Sequence, residues 1–442
     1  MRRYILILIL FFGWCSVAIA QQEVSLTFEE AVAIALTKQI DFQKLQNQQD
    51  VLRMERLNAQ LGYLPRLTAN SAAFRQVGQQ FQQVEGELIV TNEINSIVTG
   101  GLNASAPVFN GFRQHQLSKA TRNFEEAGLL GLERGRQEVF NSVAQQYLQT
   151  LLSEELVKIS KENLAIQQAQ LEQIQGFLDA GLRTIADLYN QQSEVARLQA
   201  VLVDAELQWE RDRWLMAEIL QLDKEVIPVL APINLEVYEQ QWLSLPLEDL
   251  YQEARLGRRD LQQQHKLVEA QQRMLAVSRA EFYPQLNAFF NYSTFFTSLD
   301  ERTFSNQFFT IFPQRSFGLN LSIPIFTNFD NRLHVTRSKV NLKNQQLDLH
   351  AIERVISQEV KLAYQGLKAA VKRMEATTIQ LEAAKEAHLA ITERFRLGLS
   401  NFVDLAQANQ QLVTAQSDHA QARYTLYFQE LQVKFAIGEE LD

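Results

Sequence analysis

Cysteine occurs once in 442 residues, at Cys15, so no disulfide can form within the chain. Positive charge is scarce as well: 42 lysines and arginines face 51 acidic residues, for a net charge of −9. Without a basic face to displace counterions, nucleic acid is excluded as a partner. Among the six histidines no two stand three or four apart, which removes the usual helical metal pair and predicts no metal or cofactor. The glycine spacing of Gly176 to Gly181 imitates a phosphate loop, but Leu182-Arg183 follows where lysine and a hydroxyl residue are needed. No nucleophile elbow and no His-Glu-x-x-His run occurs, so nothing points to an enzyme.

Long apolar runs are missing too. The one hydrophobic stretch, Tyr4 to Phe12, follows Arg2-Arg3 and precedes the small residues Ala18-Ile19-Ala20. That is the layout of a signal peptide over residues 1–20, and it is too short to span a membrane. Trp14 stands where a lipobox needs a small residue, so Cys15 belongs to the leader and leaves with it. Removal of two arginines takes the net charge to −11 (40 basic against 51 acidic). No later stretch approaches 18 apolar residues, so a membrane span has to be made of strands closed into a barrel.

What the chain does have is a duplication. Ala106-Pro107-Val108-Phe109 returns as Ile323-Pro324-Ile325-Phe326, Tyr147 as Tyr364, and Gly181-Leu182 with Asp187-Leu188 as Gly398-Leu399 with Asp404-Leu405. Each pair is 217 residues apart. Tyr63-Leu64-Pro65 answers Tyr283-Pro284 at nearly the same offset. The first copy is expected over 21–230, with helices over 26–62, strands over 66–109 and helices over 112–220. The second is expected over 231–442, with helices over 246–282, strands over 285–326 and helices over 330–437.

Thr27-Phe28-Glu29-Glu30 is a capping box, and Pro246 is expected in the first turn of the corresponding helix. The proline-free stretches Phe112–Leu178 and Asp330–Phe395 each predict a helix of about 100 Å, far beyond a globular helix. The helices after them carry heptad seams. Leu188, Val195, Leu202 and Trp209 form one, with Leu198 and Ala205 between. Leu405, Leu412, Leu426 and Val433 form the other, interrupted by His419, beside a stripe of Ala408, Ala415 and Ala422.

The strands alternate. Phe317, Leu319, Leu321 and Ile323 oppose Gly318, Asn320 and Ser322, and Leu286, Ala288, Phe290 and Tyr292 oppose Asn287, Asn291 and Ser293. Leu102, Ala104, Ala106 and Val108 alternate with Asn103 and Ser105, and a fourth, more polar strand is expected around Thr68 to Phe81. Apolar-out, polar-in alternation of this length is the pattern of a membrane barrel. Tyr63, Phe109, Tyr283 and Phe326 sit where strands meet helices, the place of an interfacial aromatic girdle against outer-membrane lipid, or of plain core at the junction. Four strands cannot close alone, but three chains supply twelve, an even number in the known range. A homotrimer follows from that geometry.

The opening segment Leu26 to Leu36, the junction Pro107-Val108-Phe109-Asn110-Gly111 and the tips Gly181–Leu188 and Gly398–Leu405 resemble TolC-type outer-membrane efflux proteins over essentially the full mature length. The resemblance implies a mainly α protein with a membrane β-barrel. Its duplicated strand-strand-helix-helix protomers would build a trimeric 12-stranded barrel continued by a long helical periplasmic tunnel. It implies a passive exit duct of the Gram-negative outer membrane, in a tripartite efflux or type I secretion system. Partners would be a periplasmic adaptor and an inner-membrane pump, met at tips made by Gly181, Leu182, Arg183, Thr184 and Asp187 and by Gly398, Leu399, Ser400, Asn401 and Asp404. In the family these tips also gate the tunnel. Ser400 replaces an arginine of some relatives, and Gln407 stands where a second aspartate can occur, so a charge gate would be altered, with Arg183 a candidate contributor. Local capping accounts equally for both aspartates, since Thr184 and Asn401 each precede an acid by three residues. The segment Leu222–Leu245 would join the short helices in an equatorial collar. A soluble periplasmic coiled-coil scaffold is the competing expectation.

Overall fold

The computed structural model describes residues 22–84, 87–91, 94–235 and 241–439. The expected leader, with Cys15, lies outside the described residues, as does part of the expected collar segment, 236–240. The elements run β1 (Gln22–Leu26), α1 (Phe28–Lys38), α2 (Ile40–Leu61), β2 (Arg66–Gln76), β3 (Gln80–Val84), β4 (Glu87–Thr91) and β5 (Asn95–Phe109). Then follow α3 (Arg113–Asp179), α4 (Ile185–Ile219), β6 (Val226–Leu230), α5 (Leu247–Gly257), α6 (Arg259–Arg279), β7 (Gln285–Thr297), β8 (Gln314–Ser322), α7 (Asp330–Arg396) and α8 (Phe402–Ile437). Helices α3 and α7 each contain 67 residues, about 100 Å of helix at 1.5 Å per residue. Contacts divide the chain into two compact units that cut across the duplication. One comprises residues up to Gln46 with 131–259 and 353–442, the other 47–130 with 260–352.

The first unit is helical around a small parallel strand pair, β1 with β6. Helix α1 starts at Thr27, whose hydroxyl accepts from the Glu30 amide while the Glu30 carboxylate accepts from the Thr27 amide at 2.9 Å. Its counterpart α5 starts one residue later than expected. Pro246 has extended backbone (ψ 143°) and serves as the N-cap, because a residue before the first turn need not be helical. Tyr147 on α3 is fully buried, and its hydroxyl reaches the carbonyls of Leu26 at 3.1 Å and Ala231 at 2.7 Å. It thus fastens the ends of both strands to the long helix. Burial pushes its phenol up to about 12. Phe28 meets Phe140 and Tyr147 edge to face, within a core that includes Leu26, Ala31, Ala35, Val143, Met216 and Leu220.

The heptad seams are partly internal to the unit. Leu188, Val195 and Leu198 are buried, as are Leu405, Ala408, Ala415, Ala422 and Val433. Alanine at these positions lets helices approach closely. Arg258, also buried, donates to the Glu359 carboxylate at 2.7 Å and to the Ala436 carbonyl at 3.3 Å, so its charge is compensated inside the fold.

The second unit holds a four-stranded antiparallel sheet in the order β2-β5-β7-β8. Three features depart from the sequence expectation. Strand β2 ends at Gln76 instead of near Phe81, and the separate hairpin β3–β4 follows it. Strand β8 ends at Ser322, leaving Ile323 outside it. In β5 a bulge lies between Pro107, paired with Asn287, and Phe109, paired with Leu286. Val108 is the extra residue, so Phe109 and not Val108 continues the apolar row. Proline has no N–H for the ladder, which is where a bulge is tolerated.

Candidate functional site

The sheet has two chemically different faces, one mainly apolar and one rich in asparagine and serine that also carries Phe289 and Phe295. Register places Leu321, Leu286 and Phe109 in one row, Leu319, Ala288 and Ala106 in the next, then Phe317, Phe290, Ala104 and Leu67. The opposite face carries Asn320, Asn287, Asn291, Asn103, Asn70, Ser105 and Ser316. There the Asn103 amide donates to the Asn70 side-chain carbonyl at 2.8 Å. Each strand supplies both faces because successive side chains point to opposite sides.

The sheet is also unfinished. Its edge strands β2 and β8 pair on one side only. Every residue of β2 is exposed, and all of β8 except Gly318. Phe317 is 82% exposed although it lies in the middle of an apolar row. A soluble protein manages long edges with charge, bulges or cover. Here β8 offers Phe317, Leu319 and Leu321 beside an open hydrogen-bonding edge.

The four candidate girdle residues all lie at strand ends that meet helices and all are exposed: Tyr63, Phe109, Tyr283 and Phe326. Phe109 packs edge to face on Phe112 at 5.6 Å, and the Tyr283 side chain lies against Gly111 at the turn into α3.

The tips occupy the first unit. Gly181 (φ 71°) and Gly398 (φ 75°) end the long helices in the left-handed region, which costs a residue with a Cβ about 1 kcal/mol or more. At each tip the amide after the glycine closes a wide turn, Leu182 to the Phe177 carbonyl at 2.7 Å and Leu399 to the Arg394 carbonyl at 2.8 Å. The next helices start alike. The Thr184 hydroxyl accepts from the Asp187 amide and the Asp187 carboxylate accepts from the Thr184 amide; the Asn401 side chain accepts from the Asp404 amide at 2.9 Å. Both aspartates are therefore engaged at their own helix starts. The Ser400 hydroxyl adds a bond to Asp404 at 2.9 Å.

Arg183 does something the sequence did not announce. Its guanidinium lies over the Phe395 ring, 3.9 Å from the centroid, and donates to the Phe395 carbonyl. One hairpin is thereby latched to the other, above a buried cluster of Ile174, Leu188, Phe395 and Leu405. The partner is 212 residues away, so no local pattern could have signalled it. Beyond this cluster the tips present apolar side chains to solvent: Leu182, Ile185, Leu399 and Val403. Exposed leucines at the end of a hairpin suit contact with another protein better than with water. Among the described residues no group of acids, histidines and cysteines is arranged to hold a metal ion, and no helix is long and apolar enough to cross a membrane.

Known proteins share this architecture. The family model for outer membrane efflux proteins matches the chain twice, over residues 32–219 and 250–439. The outer membrane protein TolC of Salmonella enteritidis is 25% identical over 125 residues, which is 28% of this chain and 26% of that protein. The alkaline protease secretion protein AprF of Pseudomonas aeruginosa is 21% identical over 437 residues, 97% of this chain and 87% of its own length. The Campylobacter jejuni CmeC outer membrane channel superimposes with a TM-score of 0.78 at 16% identity, over 93% of this chain and 85% of that one, which establishes a common fold. With both halves matched, the two-faced sheet and the paired hairpins fall into place, and the chain belongs to the outer membrane efflux protein family, channels of the Gram-negative outer membrane with a helical tunnel in the periplasm.

Proposed function

We propose that the chain is one third of a passive exit duct: three copies join β8 of one to β2 of the next, closing twelve strands into a barrel. The observation that carries this is the open four-stranded sheet with one apolar face and one face rich in asparagine. In lipid an open edge leaves backbone groups unsatisfied, so each edge needs a partner strand. A copy of the same chain supplies one with matching faces. The apolar face then meets lipid, the asparagine face lines the pore, and Tyr63, Phe109, Tyr283 and Phe326 mark one interface of the membrane.

In this reading the duct has no energy source or active site of its own. It is the outer-membrane component of a tripartite efflux or type I secretion system. The exposed tip around Gly181, Leu182, Arg183, Thr184 and Asp187, with Gly398, Leu399, Ser400, Asn401 and Asp404, docks a periplasmic adaptor coupled to an inner-membrane pump. Similarity to a protease secretion protein and membership of the outer membrane efflux protein family support export as the task, with the cargo chosen by the pump. The tip carboxylates close helix starts first; a gating role rests on the Arg183 latch opening when the adaptor engages. The competing scaffold reading has no use for four strands with a membrane pattern.

The test is electrical. Protein extracted from outer membranes and added to a planar lipid bilayer should produce discrete, long-lived conductance steps. Substituting Arg183 with alanine should raise the conductance or the open time. Folded protein that never conducts would overturn the duct.

A further inference from the structure

The turn between β7 and β8 does not project freely from the sheet. Residues Phe304–Asn306 form a short helical turn that continues through Gln307–Ile311, and this segment folds back onto the apolar face. Phe308 lies against Gly100, where a Cβ would come within 2.5 Å of its ring. Thr294, which pairs with Gly100, donates its hydroxyl to the Phe308 carbonyl at 2.5 Å. Phe304 stacks on Phe308 with centroids 5.0 Å apart and meets Phe296 at 5.2 Å, and Phe309 packs edge to face on Phe308. Gly100, Ser71 and Thr294 make a level of small side chains on that face, and the segment fills it with phenylalanine.

The fold-back is held in place. The fully buried Gln307 side chain reaches the carbonyls of Thr297 at 3.2 Å, Asp300 at 3.1 Å and Arg302 at 2.6 Å, and its own oxygen accepts from the Thr297 amide at 3.0 Å. A satisfied buried amide of this kind specifies one conformation. The cluster is nevertheless not a closed core: Phe304 is 44% and Phe309 66% exposed.

Its height along the sheet is informative. From Leu286, in the row of Phe109, to Phe296 is ten residues of β7, about 33 Å of strand at 3.3 Å per residue. With barrel strands tilted by about 40°, that is about 25 Å along the membrane normal, the height of the apolar band of an outer-membrane barrel. The phenylalanine cluster therefore sits one hydrocarbon thickness from the Tyr63, Phe109, Tyr283 and Phe326 girdle. Phe304 and Phe309 continue the same outward surface as Phe290 and Phe317.

We propose that segment 304–311 is a lipid anchor: a rigid aromatic wedge whose Phe304 and Phe309 insert at the boundary between acyl chains and headgroups on the side of the membrane opposite the first girdle. The inference rests on the outward, lipid-facing assignment of the apolar sheet face made above. Its occupant is membrane lipid, because the surface is continuous with that face and carries aromatic rings at an interfacial depth.

Site-specific fluorescence quenching tests it. Tryptophan is placed singly at Phe309, at Phe304 and, as a reference, at Phe317 in the middle of the outward face. Each variant of the full chain is reconstituted in phosphatidylcholine vesicles bearing a nitroxide either high on the acyl chain or near its end. The signal of the unsubstituted protein is subtracted. Phe309→Trp and Phe304→Trp should be quenched more by the shallow nitroxide than by the deep one, while Phe317→Trp is quenched more by the deep one. If Phe317→Trp is quenched and both turn variants are not, the anchor is wrong and the sheet orientation stands. If Phe317→Trp escapes quenching as well, the lipid-facing assignment falls and takes the anchor with it.

Discussion

The two halves of the chain have kept one backbone and spent their side chains differently. At the tips, Gly181 and Gly398 hold nearly the same left-handed angle and close the same wide turn, and an N-cap bonded to an aspartate three residues on starts each following helix. Yet the residue between differs: Arg183 crosses to the other hairpin, whereas Ser400, its counterpart, bonds within its own. Higher up, Tyr147 is buried against two carbonyls while Tyr364 is only half-buried. Leu202 in one seam has His419 as its counterpart in the other. What duplication preserves is what the backbone demands. What it frees is every contact that only one copy has to make.

Substitutions at matched positions put that asymmetry to the test. The largest effect is expected at the tyrosines. Tyr147→Phe takes the buried hydroxyl away from the Ala231 carbonyl, while the Leu26 carbonyl keeps the Ala231 amide, and should cost about 1–3 kcal/mol, whereas Tyr364→Phe should fall within about 0.5 kcal/mol. Chemical denaturation in detergent distinguishes them, and equal losses would erase the contrast. Next come the tip residues: Arg183→Ala removes a cation–aromatic contact and a charged hydrogen bond, about 1–2 kcal/mol together, against a few tenths for Ser400→Ala. Hydrogen exchange should quicken in both hairpin tips for the first and at most in one for the second. The caps should behave alike, with Thr184→Ala and Asn401→Ala each losing about 1 kcal/mol of local helix stability. A large difference between them would mean that the two helix starts are not equivalent.

The smallest effect concerns pH. Burial first, then the charges of Arg423 and Lys385, hold His419 below its ordinary value. The unfolded chain therefore takes up a proton before the folded one does, so stability falls as pH drops through about 6.5. His419→Leu, which restores the residue of the first copy, should flatten stability between neutral and mildly acid pH. Retention of the same slope would assign it to another group.

These contrasts also mark what a sequence can carry. The long helices were readable because α3 and α7 contain no proline and their successors keep a seven-residue period, both local properties of the chain. The sheet faces were readable because alternation has a period of two. The bulge at Val108 was visible only through Pro107, and only once β7 had set the register. The Arg183 latch, the Tyr147 clasp and the packing of Phe308 on Gly100 each join residues far apart in sequence, so they appear only when the fold brings the partners together. The tip residues were found as a group by their repetition. Their division of labour was not, because a capping aspartate and a gating aspartate share the same local pattern.

The central claim is that four strands per chain are completed by copies of the same chain. The mass of the particle extracted in detergent from outer membranes tests it most directly, by light scattering or native mass spectrometry with bound detergent accounted for. Three chains per particle is the predicted result. A single chain that stays soluble and folded without detergent would contradict it, because the open edges of β2 and β8 would then need no partner at all.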